Sequence, residues 1–338
     1  MSQHNLSIVP KFLAFLLLWP LVLWSQSPKA VERLRADVYV LADDAMEGRK
    51  VGTRGEQKAA AYLSGRMASL KLAEHELAPD YRVTFSAQPK VHGVAHGSPV
   101  TGTNMVGVVP GRNPKLAPLV VGAHYDHWGW GGEGSLYRGK DSAIHNGADD
   151  NASGVAAVLE LAYRLKLAKL QRSVIVVAFS GEEQGLWGSN DLAKKLAALP
   201  VKPAAMVNMD MVGRLGATRQ LALYGVGTSP AWPTALAAAG AADRFRLKID
   251  SSGVGPSDHT SFYLTDVPVL HLFTGQHADY LYASLKSYQT EGNPYVGRGN
   301  AIMAGMAKQY SNAELKQIAN YLASVPGDLK VEPQSRWR

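Results

Sequence analysis

Apolar residues along this chain gather in short continuous runs, with longer stretches of helical period between them. The runs are Leu119–Ala123, Val174–Phe179, Ala205–Met209, Gln220–Tyr224 and Pro268–Phe273. The stretches with apolar residues three and four positions apart are Val155–Leu170, Leu186–Leu199 and Trp232–Ala242. Continuous apolar runs predict strands buried on both faces, and helices between them predict parallel neighbours. Upstream, residues 30–72 read as two amphipathic helices parted by a loop over Glu47–Gly55. Thr53 and Glu56 are spaced as a capping box for a helix over Glu56–Leu70. Two short strands are predicted around Tyr81–Ala87 and Asn104–Val109. No repeat or low-complexity tract interrupts the pattern. The predicted class is α/β, a three-layer α/β/α sandwich around a mostly parallel central sheet.

The N-terminus departs from this pattern. Lys11 precedes the apolar run Phe12–Trp24, which gives way to Ser25-Gln26-Ser27-Pro28. A positive residue, an apolar stretch and small polar residues predict a signal peptide over residues 1–27, and with it a periplasmic or secreted protein. The run is shorter than the roughly 20 residues of a spanning helix. Membrane contact is expected only through this segment, where it is left uncleaved.

Composition narrows the chemistry. Apolar residues are 46% and charged residues 19% of 338, which excludes a disordered chain. The net charge of +7 is spread without a basic block, so nucleic acid is not an expected partner. There is no cysteine. Disulfides, thiolate nucleophiles, cysteine-held zinc and thioether-attached haem are thereby excluded. A catalytic metal would have to be held by His, Asp and Glu.

Covered parallel sheets carry their chemistry beyond the carboxyl ends of the strands. Here the first run ends in His124-Tyr125-Asp126-His127, the second in Ser180-Gly181-Glu182-Glu183 and the third in Asp210. Gly147-Ala148-Asp149-Asp150-Asn151 opens the Val155 helix. One imidazole with several carboxylates on one rim suits zinc or a similar divalent ion. Asp126, two residues after His124, is placed to accept the other imidazole N–H. Of the paired Glu182 and Glu183, one can bind metal while its neighbour serves as a general base. A carboxylate beside a metal-activated water is what hydrolysis requires.

Four segments closely resemble the di-zinc aminopeptidase family, the bacterial leucyl-aminopeptidase type within the MH clan of metallopeptidases. They are Gly122–His127, Asn146–Gly154, Gly181–Ser189 and Asn208–Met211, and the likeness covers roughly residues 35–280. The resemblance implies a phosphorylase/hydrolase-like fold and release of an N-terminal residue from a peptide substrate. It implies that His124 and Asp210 hold one zinc, that Glu183 holds a second and that Asp150 bridges them. It also implies Glu182 as general base and Asp126 as the group that orients His124. Asp150 rather than Asp149 matches the bridging position, because it directly precedes Asn151-Ala152-Ser153-Gly154.

One family feature is missing. A fifth ligand, a histidine in an Asp-Tyr-His context, is replaced here by Asp279-Tyr280-Leu281. His277 lies four positions early, and His259 matches a family feature that is not a ligand. On this reading the first metal keeps His124, Asp150 and Asp210, while the second keeps only Glu183 and Asp150. One tight and one weak zinc site are expected. After an exopeptidase domain over residues 28–280, residues 281–338 resemble the C-terminal half of a class I cytochrome c without its haem-binding motif, so no haem is expected. Two other functions stay open: an impaired homologue that binds peptides, and a glutaminyl-cyclase-like acyltransferase with a single zinc. The di-zinc pattern, with four of five positions present, favours the peptidase.

Overall fold

The computed structural model describes residues 28–91, 94–95, 97–131, 142–216 and 218–274, with 305–311, 314–315 and 317–318. The expected signal segment, His277, Leu281 and most of the C-terminal tail lie outside the described residues. The chain divides into two compact units. The larger takes the described residues up to Trp130 and from Ala143 to Thr274. In the smaller, Ser311 Oγ donates to the Glu314 carboxylate at 2.7 Å and accepts the Glu314 amide at 3.3 Å. That is the reciprocal cap the spacing of the two residues permits.

The larger unit begins with helix α1 (Pro28–Leu41) and, after a tight turn over Asp44–Arg49, helix α2 (Arg54–Ser69). Strands β1 (Ala73–Glu74), β2 (Arg82–Ala87), the hairpin β3 (Lys90–Val91) and β4 (Val94–Ala95), β5 (Val100–Val109) and β6 (Leu119–His124) follow. Next come α3 (Gly154–Ala168), β7 (Val174–Phe179), α4 (Trp187–Ala197), β8 (Ala205–Met209) and β9 (Gln220–Tyr224). The unit closes with α5 (Ala231–Ala238), α6 (Ala241–Arg244), β10 (Arg246–Ile249), α7 (His259–Tyr263) and β11 (Val269–Phe273). The sheet order is β1-β5-β7-β6-β8-β11-β9-β10, with β2 paired to the outer side of β5. The four central strands β7, β6, β8 and β11 are parallel, as the apolar runs predict. β5 runs against β7, and β9 runs against β11.

Every residue of β6 and β7 is buried, and their side chains alternate between two cores. Leu119, Val121, Ala123, Val174, Val176 and Ala178 meet α2 and α3 through Leu63, Met67, Val158 and Leu159. Val120, Ile175, Val177 and Phe179 meet α4 and α7 through Leu192, Leu196 and Phe262. Gly122 is needed on the second face, since a Cβ there would stand 2.4 Å from the Phe179 ring. In β6 and β7, burial on both faces leaves polar side chains only at and beyond the strand ends. Edge strands such as β10 escape the sequence pattern because Arg246 and Lys248 alternate with Leu247 and Ile249.

Two buried charged groups, Glu160 and Arg49, fix the helices and turns around the sheet. Glu160 on α3 accepts two bonds from Arg33 on α1, at 2.7 and 2.9 Å, and one from Arg164 at 2.7 Å. Arg49 is wholly buried and faces main-chain oxygens. It donates to the carbonyls of Tyr125 at 2.6 Å, Asn146 at 2.7 Å and Gly147 at 2.9 Å, and to that of Leu41. One guanidinium thus joins the end of α1, the segment after β6 and the loop that leads to α3. Glu56 does more than the predicted cap. Its carboxylate accepts the amides of Gly52 at 2.6 Å and Thr103 at 2.9 Å and the Ser180 hydroxyl at 2.6 Å, tying α2 to β5 and the end of β7.

Replacing Glu160 with Ala should lower the unfolding free energy by about 1–3 kcal/mol in denaturant titrations at pH 7, because two arginines lose a buried partner. Burial raises the Glu160 pKa, but Arg33 and Arg164 outweigh it and hold the group below its ordinary 4.5. Its stabilisation is therefore present above pH 4.5 and lost as pH falls through the lower folded value. The gap between wild type and Glu160→Ala should narrow at pH 3. Arg49→Met should cost more, about 3–5 kcal/mol, because four buried carbonyls lose their donor. Measured in chelator to exclude metal effects, Arg49→Lys should recover less than half of that loss, since an ammonium lacks the planar fork.

Candidate metal centre

The carboxyl ends of β6, β7 and β8 lie side by side in the parallel part of the sheet, and each delivers a metal-ligating group. β6 ends at His124, the turn after β7 carries Glu182 and Glu183, and Asp210 follows β8. Asp150 comes from the turn before α3, and its peptide bond to Asn151 is cis. His124 Nε2 lies 3.2 Å from Asp150 Oδ1, 3.4 Å from Asp210 Oδ1 and 3.9 Å from Glu182 Oε2. The neighbouring Asp149 faces elsewhere. It accepts the Gly213 amide at 2.9 Å and lies 3.0 Å from Arg214. The choice of Asp150 over Asp149 thus corresponds to a clear difference in orientation.

Asp126 plays a part the sequence did not suggest. His124 Nδ1 is 3.2 Å from the main-chain oxygen of Asp126, whereas the Asp126 carboxylate is 3.7 Å away. Facing a carbonyl, Nδ1 carries a proton, and Nε2 is the nitrogen turned toward the carboxylates. The Asp126 side chain instead accepts the amides of Glu182 at 3.1 Å and Glu183 at 3.4 Å. It clamps the turn from which the paired glutamates diverge.

Among the described residues, two groups could hold a metal ion: His124, Glu182 and Asp210, and His127, Asp150 and Glu183. In each, one donor atom per residue lies within 4.8 Å of the others. His127 was quoted in the sequence motif but given no role. Its Nδ1 stands 2.6 Å from Glu183 Oε1. The only sequence signal for it was its place three residues after His124 on the same strand-end segment. Asp258, just before α7, also escaped notice. It is fully buried, and its neighbours include Ser189, Asp126 and Asp210. His259, which the family pattern marked as no ligand, stacks on His271 at 4.3 Å between ring centres.

The electrostatics are those of a cation site. Burial raises Glu182 well above the ordinary carboxylate range, and Asp258, Asp210 and Asp126 add to the shift. Burial raises Glu183 likewise, helped by Asp150 and Glu182. Asp258 is pushed up to about 7 and Asp126 to about 6, in both cases chiefly by burial. Burial lowers the His124 pKa, but Glu182 and Asp210 overcome it and hold the group well above 6.5. A divalent ion held among these groups would offset the same burial and repulsion. Asp210 Oδ1 is buried, with His124 Nε2 3.4 Å away among the described residues. The donors are imidazole nitrogens and carboxylate oxygens, one imidazole and two carboxylates per group, and that set fits zinc.

Comparisons with known proteins bear on the fold and the family. A probable zinc metalloprotease of Pyrenophora tritici-repentis (strain Pt-1C-BFP) is 38% identical over 115 residues, 34% of this chain and 25% of that protein. The chain thus spans about a quarter of the length of that relative. A zinc aminopeptidase from Bacillus subtilis shares the fold with a TM-score of 0.55 at 18% identity, over 86% of this chain and 93% of that one. A glutaminyl cyclase of Porphyromonas gingivalis superposes with a TM-score of 0.51 at 17% identity, over 87% and 94% of the two chains. The cytochrome likeness of the tail finds no support in these comparisons. The model of Peptidase family M28 matches residues 104–294, which include the ends of β6, β7 and β8 and the Asp150 turn. The chain belongs to Peptidase family M28, a family of zinc metallopeptidases.

Proposed function

We propose that this chain is a zinc-dependent aminopeptidase that hydrolyses the N-terminal peptide bond of peptides. The observation that carries the reading is the convergence of Asp150, Asp210 and Glu182 on His124 Nε2, at 3.2, 3.4 and 3.9 Å, with Glu183 in an adjacent donor group. Two metals side by side suit hydrolysis of an amide better than the single zinc of an acyltransferase. The glutaminyl cyclase fold likeness keeps that acyl transfer as the second reading.

His124, Asp150 and Asp210 would hold one zinc, and Glu183 and Asp150 the second. When bound, the metals lower the pKa of the attacking water and polarise the scissile carbonyl. The protein's own part is to place and move a proton. Glu182 takes it from the water and returns it to the leaving amine, as a general base and then a general acid. The Asp126 clamp on the Glu182 and Glu183 amides holds both carboxyl groups at the rim. The Nδ1–H bond from His124 to the Asp126 carbonyl fixes the ring so that Nε2 faces the site. We also infer from the leader-like residues 1–27 that the protein acts in the periplasm or outside the cell.

Turnover of amino-acid anilides, abolished by a chelator and restored by zinc, is the direct test. Conversion of an N-terminal glutamine peptide to its cyclic product without anilide turnover would favour the acyltransferase. Glu182→Gln should keep its zinc and lower kcat by about two to four orders of magnitude. Loss of zinc together with activity would make Glu182 a ligand instead. Asp150→Ala should strip zinc, measured by elemental analysis after dialysis, and full zinc content in that variant would overturn the bridging role.

A further inference from the structure

We propose that His127 is a ligand of the second metal and supplies the imidazole that the family's fifth histidine would otherwise provide. The inference rests on the zinc-peptidase reading and changes its ligand set. The sequence alone leaves the second position with Glu183 and Asp150. Two carboxylates make a poor zinc site, since catalytic zinc has three protein ligands and an open position. His127 completes the three. Its Nδ1 lies 2.6 Å from Glu183 Oε1, and a ring nitrogen of His127 lies within 4.8 Å of a carboxylate oxygen of Asp150.

The ring is held there on several sides. The side chains of His127 and Glu183 are only 12% and 10% exposed. The His127 amide donates to the Arg49 carbonyl at 3.4 Å, and Arg49 itself grips the Gly147 carbonyl at 2.9 Å. Gly147, at φ +55°, lies so close that a Cβ there would stand 2.7 Å from His127 Cδ2 and 2.3 Å from the Asp150 carbonyl oxygen. One packed contact thus sets the imidazole and the Asp150 turn together. A 2.6 Å approach of imidazole nitrogen to carboxylate oxygen needs a proton or a cation between or beside them. His127 also stands three residues after His124, so a single strand-end segment provides one imidazole to each metal.

A histidine that merely hydrogen-bonds Glu183 would leave metal content unchanged, which sets the experiment. Zinc per full-length chain is measured after dialysis, and the second binding constant by calorimetry. Wild type should hold two zincs and His127→Ala one, with the second Kd weakened by more than about 100-fold, beyond the usual effect of losing only a ligand's supporting group. Should His127→Ala fail to fold, His127→Cys loaded with Co2+ serves instead. Because the chain has no cysteine, a sulfur-to-cobalt charge-transfer band in the near ultraviolet would come only from a thiolate at this position. Its presence supports the assignment. Two cobalt ions without the band would overturn it. So would unchanged zinc content and Kd in His127→Ala, or loss of the second zinc on His277→Ala. A wild-type chain without zinc would overturn the metallopeptidase reading as well, so the two failures are distinguishable.

Discussion

Carboxylates crowded at one buried rim repel each other, and that repulsion is the constraint around which the rest of the molecule is arranged. Glu182, Glu183, Asp126 and Asp258 are all raised by burial, and neighbouring charge adds to the shift in the two glutamates. A chain does not collect such groups at no cost, since each desolvated charge opposes folding. A divalent cation reverses the sign of the problem. The same carboxylates that destabilise a metal-free rim become the reason the metal is held.

Keeping the groups at the rim takes main-chain contacts more than side-chain pairs. Asp126 accepts two successive amides, and Arg49 donates to four carbonyls from three segments. Glu56 works the same way one layer further out, through the amides of Gly52 and Thr103. Main-chain partners suit this task because their positions are set by the fold and do not depend on rotamers. The site therefore inherits its geometry from the parallel register of β6, β7 and β8 and from the turn that precedes α3.

Local and long-range contacts both appear among the described residues. The cap between Ser311 and Glu314 joins residues three apart in sequence. The larger unit is held by contacts between residues far apart, such as Arg33 with Glu160 and Arg49 with Gly147.

The sequence by itself determined the central strands, the helices that cover them and four of the ligand candidates. Burial on both faces forces continuous apolar runs, and the residues that end those runs have nowhere to go but the rim. His124, Asp150, Glu183 and Asp210 were legible because each is tied to a strand or helix end by a short segment of recognisable order. Tertiary structure alone decided the parts that depend on through-space distance. The Asp126 carboxylate turned from the imidazole to the amides of the next strand's turn, 56 residues away for Glu182. Arg49 reached across 97 and 98 residues to the loop at Asn146 and Gly147. His127 met Glu183 across another 56. No local spacing encodes such meetings. They follow from the strand order β7-β6-β8, which the hydrophobic pattern leaves open because any buried parallel strand can occupy any central place.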